Sequence, residues 1–242
     1  MTGEAPTPPR RIAANTPEFR RTIIAVFSGG FSIFSILYCT QSVLPVFAAQ
    51  FNVTPAQSSL ALSLTTITMA IAMVFASSLS EAVGRKPLMV ASLLISSLLT
   101  LALAVAPTWE SILWLRALAG VALSGAPAVT LAYLGEQMEK EAVAPAIGIY
   151  IGGGALGGMM GRLVPATFAD IASWRWGMAV LAVIGFVSIG IFWRALPASL
   201  PLPITSLHGD VVVHVFADEA RRFYEIERLY SDMPKEIGRA HV

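Results

Sequence analysis

The chain has 242 residues, 55% of them hydrophobic and 13% charged, where soluble globular domains carry about 25% charge, and its mean hydropathy of +0.70 requires lipid around it. Its net charge of +1 hides acids and bases gathered before Thr22, in short loops and after Arg194, with no basic patch for nucleic acid. Cys39 is the lone cysteine and His208, His214 and His241 follow the last apolar stretch, so no disulfide framework, metal cluster or cofactor is expected.

Residues 1–21 hold Pro6, Pro8, Pro9 and Pro17 with Arg10, Arg11, Arg20 and Arg21. No small-residue cleavage site follows the first apolar stretch, so the segment is expected to be a disordered basic arm and not a removable signal peptide. Crossing about 30 Å of hydrocarbon takes roughly 20 apolar residues in a helix, which satisfies its own backbone amides. Six stretches qualify, at 22–44, 58–79, 88–106, 111–134, 144–166 and 176–193. Breakers punctuate the connections: Pro45 and Pro55, then Gly84 and Pro87, then Pro107. The expected fold is therefore an all-α membrane protein, a six-transmembrane-helix bundle over 22–199.

Orientation follows from the flanking cations, because Lys and Arg stay on the cytoplasmic side. Arg10, Arg11, Arg20, Arg21, Arg85, Lys86, Lys140 and Arg194 fall on one side, and only Arg162 and Arg175 on the other. The amino terminus is accordingly expected in the cytoplasm. After Ala198 the composition changes: Pro201 and Pro203 lead into a polar stretch at 217–232, of which 218–230 has the makings of a short helix. A segment of that size is too small to be a domain. The ending Ile237-Gly238-Arg239-Ala240-His241-Val242 resembles the translation of a short-read sequencing adapter. Residues 200–242 are therefore expected to be a soluble tail foreign to the bundle.

Several local patterns carry chemistry. Between the second and third stretches the chain reads Ser77-Ser78-Leu79-Ser80-Glu81-Ala82-Val83-Gly84-Arg85-Lys86-Pro87-Leu88. Gly84 permits a tight turn, so that Glu81 at a helix end can meet Arg85 and Lys86 across it; an ordinary positive-inside loop is the alternative. Arg116 lies within the fourth stretch, where a charge costs about 2.5–3.5 kcal/mol on insertion scales, so it is expected to face a cavity or a partner, or else to snorkel from near Ser111. In the fifth stretch, Gly153-Gly157-Gly161 and Gly154-Gly158 strip one helix face and invite close packing. The formal Gly-x-Gly-x-x-Gly at Gly152, Gly154 and Gly157 has no strand before it and is treated as chance. Tyr38 and Gln41 are polar groups in an apolar span and, with Arg116, are candidate cavity-lining residues.

Taken together these pieces resemble the major facilitator superfamily of transporters, in its sugar- and drug-exporter-like branch, over residues 19–199. The loop resembles the family signature Gly-x-Leu-x-Asp-x-x-Gly-Arg-Arg/Lys, with Ser77 in place of the first Gly, Glu81 in place of Asp and Ala82 in place of a common basic residue. Arg116 and Gly120 resemble the fourth-helix Arg-x-x-x-Gly motif. The glycine row resembles the exporters' fifth-helix motif, but Arg162 stands after Gly161 where a proline is expected. Tyr38-Cys39-Thr40-Gln41-Ser42-Val43-Leu44-Pro45, Ser173-Trp174-Arg175-Trp176 and Leu196-Pro197 also look familiar, although Trp174 and Trp176 are expected to be interfacial anchors.

The resemblance implies one half of a twelve-helix fold, with a carboxy-terminal six-helix half as partner. It also implies a bacterial inner (plasma) membrane location and secondary active transport of a small-molecule substrate by alternating access, as a proton-coupled exporter and not an enzyme. By the same resemblance Glu81, Gly84, Arg85 and Lys86 form a gate latch and Arg116 serves proton coupling. Other six-helix classes fit less well. A rhomboid-type protease needs Gly-x-Ser-Gly and a histidine base, but Ser124-Gly125 lacks the preceding glycine and no stretch holds a histidine. An aquaporin-type channel needs Asn-Pro-Ala, and neither Asn15 nor Asn52 precedes a proline. A structural or assembly membrane protein without transport activity is the remaining alternative.

Overall fold

The computed structural model describes residues 11–197, apart from the Ser77 side chain. The tail at 200–242 lies outside the described residues. Among those described, nine α-helices and one 3-10 turn make six candidate membrane spans, with no strand beyond a single bridge.

The first span runs Pro17–Phe51 and is broken. Helix α1 (Pro17–Tyr38) starts on Thr16, whose side chain accepts from Phe19 N, with Pro17 in the first turn, where a missing N–H is harmless. It stops at Tyr38, tightens into the 3-10 turn Gln41–Val43 and restarts as α2 (Leu44–Phe51). The break has a cause in Pro45, which lacks the N–H that a continuous helix would aim at Gln41 O. The expected continuous helix over 22–44 is thus corrected at both ends and in the middle. So is the arm: Ile12 N donates to Gln137 O (2.8 Å) and Glu139 N to Ile12 O (3.0 Å), so residues from Ile12 onward are docked and helical by Pro17, not disordered up to residue 21.

Helix α3 (Pro55–Ser58) carries a Thr54–Gln57 capping box and leads into α4 (Leu60–Val83). Gly84, at φ +98°, turns the chain directly into α5 (Arg85–Ala104), a conformation that a side chain at that position would strain. The fourth span is also broken. Helix α6 (Trp109–Leu123), capped by Thr108, gives way at 124–126 to α7 (Pro127–Gln137), because Pro127 has no N–H for Leu123 O. Helix α8 (Lys140–Ile171) has 32 residues and outruns the expected 144–166 at both ends, and α9 (Trp174–Ala195) closes the bundle.

Lipid tails offer no hydrophobic drive between helices, so packing relies on small residues and interhelical hydrogen bonds. Helix α1 sits against α8 and α9, α4 pairs with α6, and α5 packs on both α6 and α9. A Cβ at Gly153, Gly157 or Gly161 would collide with the carbonyl oxygens of Phe27, Phe31 or Ser35, so the glycine row brings the backbones of α8 and α1 together. Ser35 Oγ then donates to Gly157 O across the seam (2.9 Å). Across α4 and α6, Gly120 meets Thr65 and Thr68, whose hydroxyls donate to Arg116 O (3.0 Å) and Ala117 O (2.9 Å).

At the end away from Pro17, Trp174 is only 2% exposed. Its indole N–H donates to Gln50 Oε1 (2.7 Å) and its ring meets Phe47 edge-on at 4.9 Å. It is a core residue, not the expected interfacial anchor; Trp176, 63% exposed, is available for that role. The second and fifth spans are the least covered, with 17% and 33% of their apolar windows buried against 67% for the first.

Candidate functional site

Where α1 begins and α9 ends, a polar network joins the spans. Arg85, the first residue of α5, donates from Nε to Glu136 Oε2 (2.6 Å) and from Nη1 to Ser80 Oγ (3.1 Å), while Nη2 forms an ion pair with Glu136 Oε1. This two-pronged contact is the geometry a guanidinium makes best with a carboxylate, and it links α4, α5 and α7. Lys86 Nζ donates to Leu196 O and Tyr133 OH to Pro197 O (3.2 Å), which ties in the end of α9. The expected meeting of Glu81 with Arg85 and Lys86 is therefore corrected. Gly84 turns Arg85 inward toward α7, whereas Glu81 stays exposed on α4 with no ion pair or hydrogen bond among the described residues. Glu136 was missed because it lies past the assigned end of the fourth stretch, at 134.

Arg116 is 1% exposed. Its Nε donates to Ala61 O (3.1 Å), Nη1 to Ile36 O (3.0 Å) and Cys39 Sγ (3.4 Å), and Nη2 to Leu37 O (2.7 Å). The two α1 carbonyls are among those a helix leaves open at its carboxy-terminal end, where partial negative charge favours a cation. Arg116 thus neither snorkels nor lines an open cavity with Tyr38 and Gln41; its partner is the broken end of the first span.

Tyr38 and Gln41 instead meet a second arginine. Arg162, exposed on α8, donates from Nε to Gln41 Oε1 (2.6 Å) and from Nη1 to Gly158 O (2.9 Å), and its guanidinium carbon lies 4.2 Å over the Tyr38 ring. Ser42 Oγ donates to Arg162 O (2.7 Å). Gly154 and Gly158 leave room for the rings of Phe34 and Tyr38. The end of α1 is consequently held by two arginines, one inside the bundle and one on its surface. The signal for Arg162 was in the sequence, as a charge in the place of the exporters' proline.

The sequence profile of the Major Facilitator Superfamily matches residues 25–224, and so takes in part of the tail that composition set apart. The chain belongs to the major facilitator superfamily. It is 42% identical to the inner membrane transport protein YnfM of Escherichia coli, over 83% of this chain and 48% of that protein. It is also 42% identical to the MFS-type transporter YybF of Bacillus subtilis, over 78% of this chain and 46% of that protein. The chain thus spans about half the length of the curated relatives it matches. In fold it is similar to a crystal structure of the peptide transporter POT, with a TM-score of 0.63 at 14% identity, over 88% of this chain and 44% of that one. The chain is an integral membrane member of a transporter family, and its six-helix bundle is one half of that family's fold.

Proposed function

We propose that this chain is the amino-terminal bundle of a secondary active transporter that exports a small molecule by alternating access, coupled to protons. It sits in a bacterial inner membrane with its amino terminus in the cytoplasm and works with a second six-helix bundle. The observation that carries the reading is the exposed Arg162–Gln41 pair on two membrane spans. A guanidinium on such a surface faces water or a polar partner, not hydrocarbon tails, as it does beside a cavity between two bundles. Tyr38 and Gln41 line this half of the cavity. Arg116 acts behind them, by fixing the broken end of α1 that carries both, and it is the coupling residue on this half. Glu81, Gly84, Arg85 and Lys86 form the cytoplasmic latch: Arg85 and Lys86 hold the bundle's own helices, which leaves Glu81 to meet the other half. The rows Gly153-Gly157-Gly161 and Gly154-Gly158 serve helix packing.

The test is a flux screen. Inverted membrane vesicles containing the complete transporter are energised by a proton gradient and offered a metabolite library, with uptake read by mass spectrometry. The reading expects at least one solute to accumulate, and accumulation to disappear in Arg116→Ala vesicles with the protein still in the membrane. Equal uptake with and without the protein would leave the assembly role instead.

A further inference from the structure

Arg162 has donors left over. Its Nε and one Nη1 hydrogen are engaged by Gln41 and Gly158, and Nη2 makes no hydrogen bond among the described residues. No acid among the described residues forms an ion pair with it, and the next acid along α8, Asp170, is more than two turns further on. The partners it does have are neutral and orient it. Gln41 fixes the Nε edge, Ser42 holds the backbone carbonyl at 2.7 Å, and the Tyr38 ring lies under the guanidinium plane at 4.2 Å. Phe34 stacks on Tyr38 with ring centroids 6.2 Å apart, so an aromatic wall leads away from the cation. Both rings are seated over Gly154 and Gly158.

What remains open is Nη2 and the second Nη1 hydrogen of a pre-oriented guanidinium on an exposed surface beside that wall. Guanidinium N–H groups of this kind match the oxygens of a carboxylate or phosphate. We propose that Arg162, positioned by Gln41 and flanked by Tyr38 and Phe34, is a binding site for an organic anion whose carboxylate or phosphate takes the guanidinium and whose ring or flat apolar body lies on the aromatic wall. The anion's fate as cargo rests on the transport reading; its binding does not.

The full chain in phosphatidylcholine nanodiscs, titrated calorimetrically with benzoate and with benzyl alcohol as the neutral counterpart, tests the site. Saturable benzoate binding is expected to weaken roughly tenfold or more in Arg162→Gln, as loss of a hydrogen bond to a charged group implies. Arg162→Lys should keep part of the affinity, and benzyl alcohol binding should not change with Arg162→Gln. Circular dichroism establishes that the variants are folded. Repeating the titration with phosphatidylglycerol in the disc separates the sources of anion: competition assigns the site to a lipid phosphate, and no competition to a soluble anion, with the anion site upheld in both cases. Equal benzoate affinity in wild type and Arg162→Gln, or no saturable benzoate binding together with no Arg162-dependent retention of phosphatidylglycerol, overturns it. Loss of binding in Arg162→Gln alongside no flux of any solute would remove the transport reading and keep the site. Flux that ignores Arg162 together with equal benzoate affinity in wild type and Arg162→Gln would keep the transport reading and remove the site.

Discussion

Arg116 is buried at no bare charge, because its guanidinium meets the carbonyls of Ala61, Ile36 and Leu37 and the Cys39 sulfur. Arg116→Ala would strand buried acceptors at about 1–3 kcal/mol for each group left unsatisfied. The variant should still insert but unfold at a lower temperature in detergent, and Arg116→Lys should recover only part of the loss, since an ammonium lacks the fork that reaches both α1 and α4. An unchanged unfolding midpoint in Arg116→Ala would contradict this role. At the Gly84 turn, a double-mutant cycle on Arg85→Ala and Glu136→Ala should give a coupling of about 1 kcal/mol or more, while Glu81→Ala should leave stability within about 0.5 kcal/mol. A coupling near zero would mean that the ion pair does not hold the bundle. The arginines were legible in the sequence because a charge in an apolar run stands out. Their partners were not: backbone carbonyls carry no residue signature, and Glu136 became a partner only through the inward turn at Gly84.

Helix α8 approaches α1 along one face only, which makes its glycines unequal. Gly157 lies against Phe31 O, whereas Gly152 has nothing within 4 Å of where a Cβ would stand. Gly157→Leu should therefore cost more than the about 1–3 kcal/mol of ordinary overpacking, because backbone must move, and Gly152→Leu should be nearly neutral. Thermal unfolding and monodispersity on size exclusion read the difference, and equal behaviour of the two variants would refute the packing assignment. The six spans and the glycine seam could be read from length and spacing alone. The breaks at 39–43 and 124–126 could not, since the apolar character of the first and fourth stretches continues across them. Pro45 and Pro127 mark both, but Pro45 was read as the start of a loop and not as an interruption within a longer span. Trp174 was misread for a related reason: its neighbours in the core, Phe47 and Gln50, come from the far side of that interruption.

At the scale of the molecule, the first, fourth and fifth spans are linked by two arginines that converge on the end of α1, and the second and fifth spans leave most of their apolar windows uncovered. Family, fold class and the number of spans were legible because they depend on hydropathy and on motifs that survive substitution. Which arginine meets Tyr38 and Gln41 was not, because it depends on how α8 lies against α1. The central claim is that this bundle rocks against a second one, opening its two ends in turn. Cysteine accessibility in the complete transporter tests it without knowledge of the substrate, and Cys39 is buried, so its background reactivity is low. Gln41→Cys reports the end of the bundle at the α1 break and Glu81→Cys the end at the Gly84 turn, each labelled with a small maleimide in membranes while the proton gradient is reversed. Alternating access predicts that reversal raises labelling at one position and lowers it at the other; labelling that rises or falls at both together, or changes at neither, would contradict it.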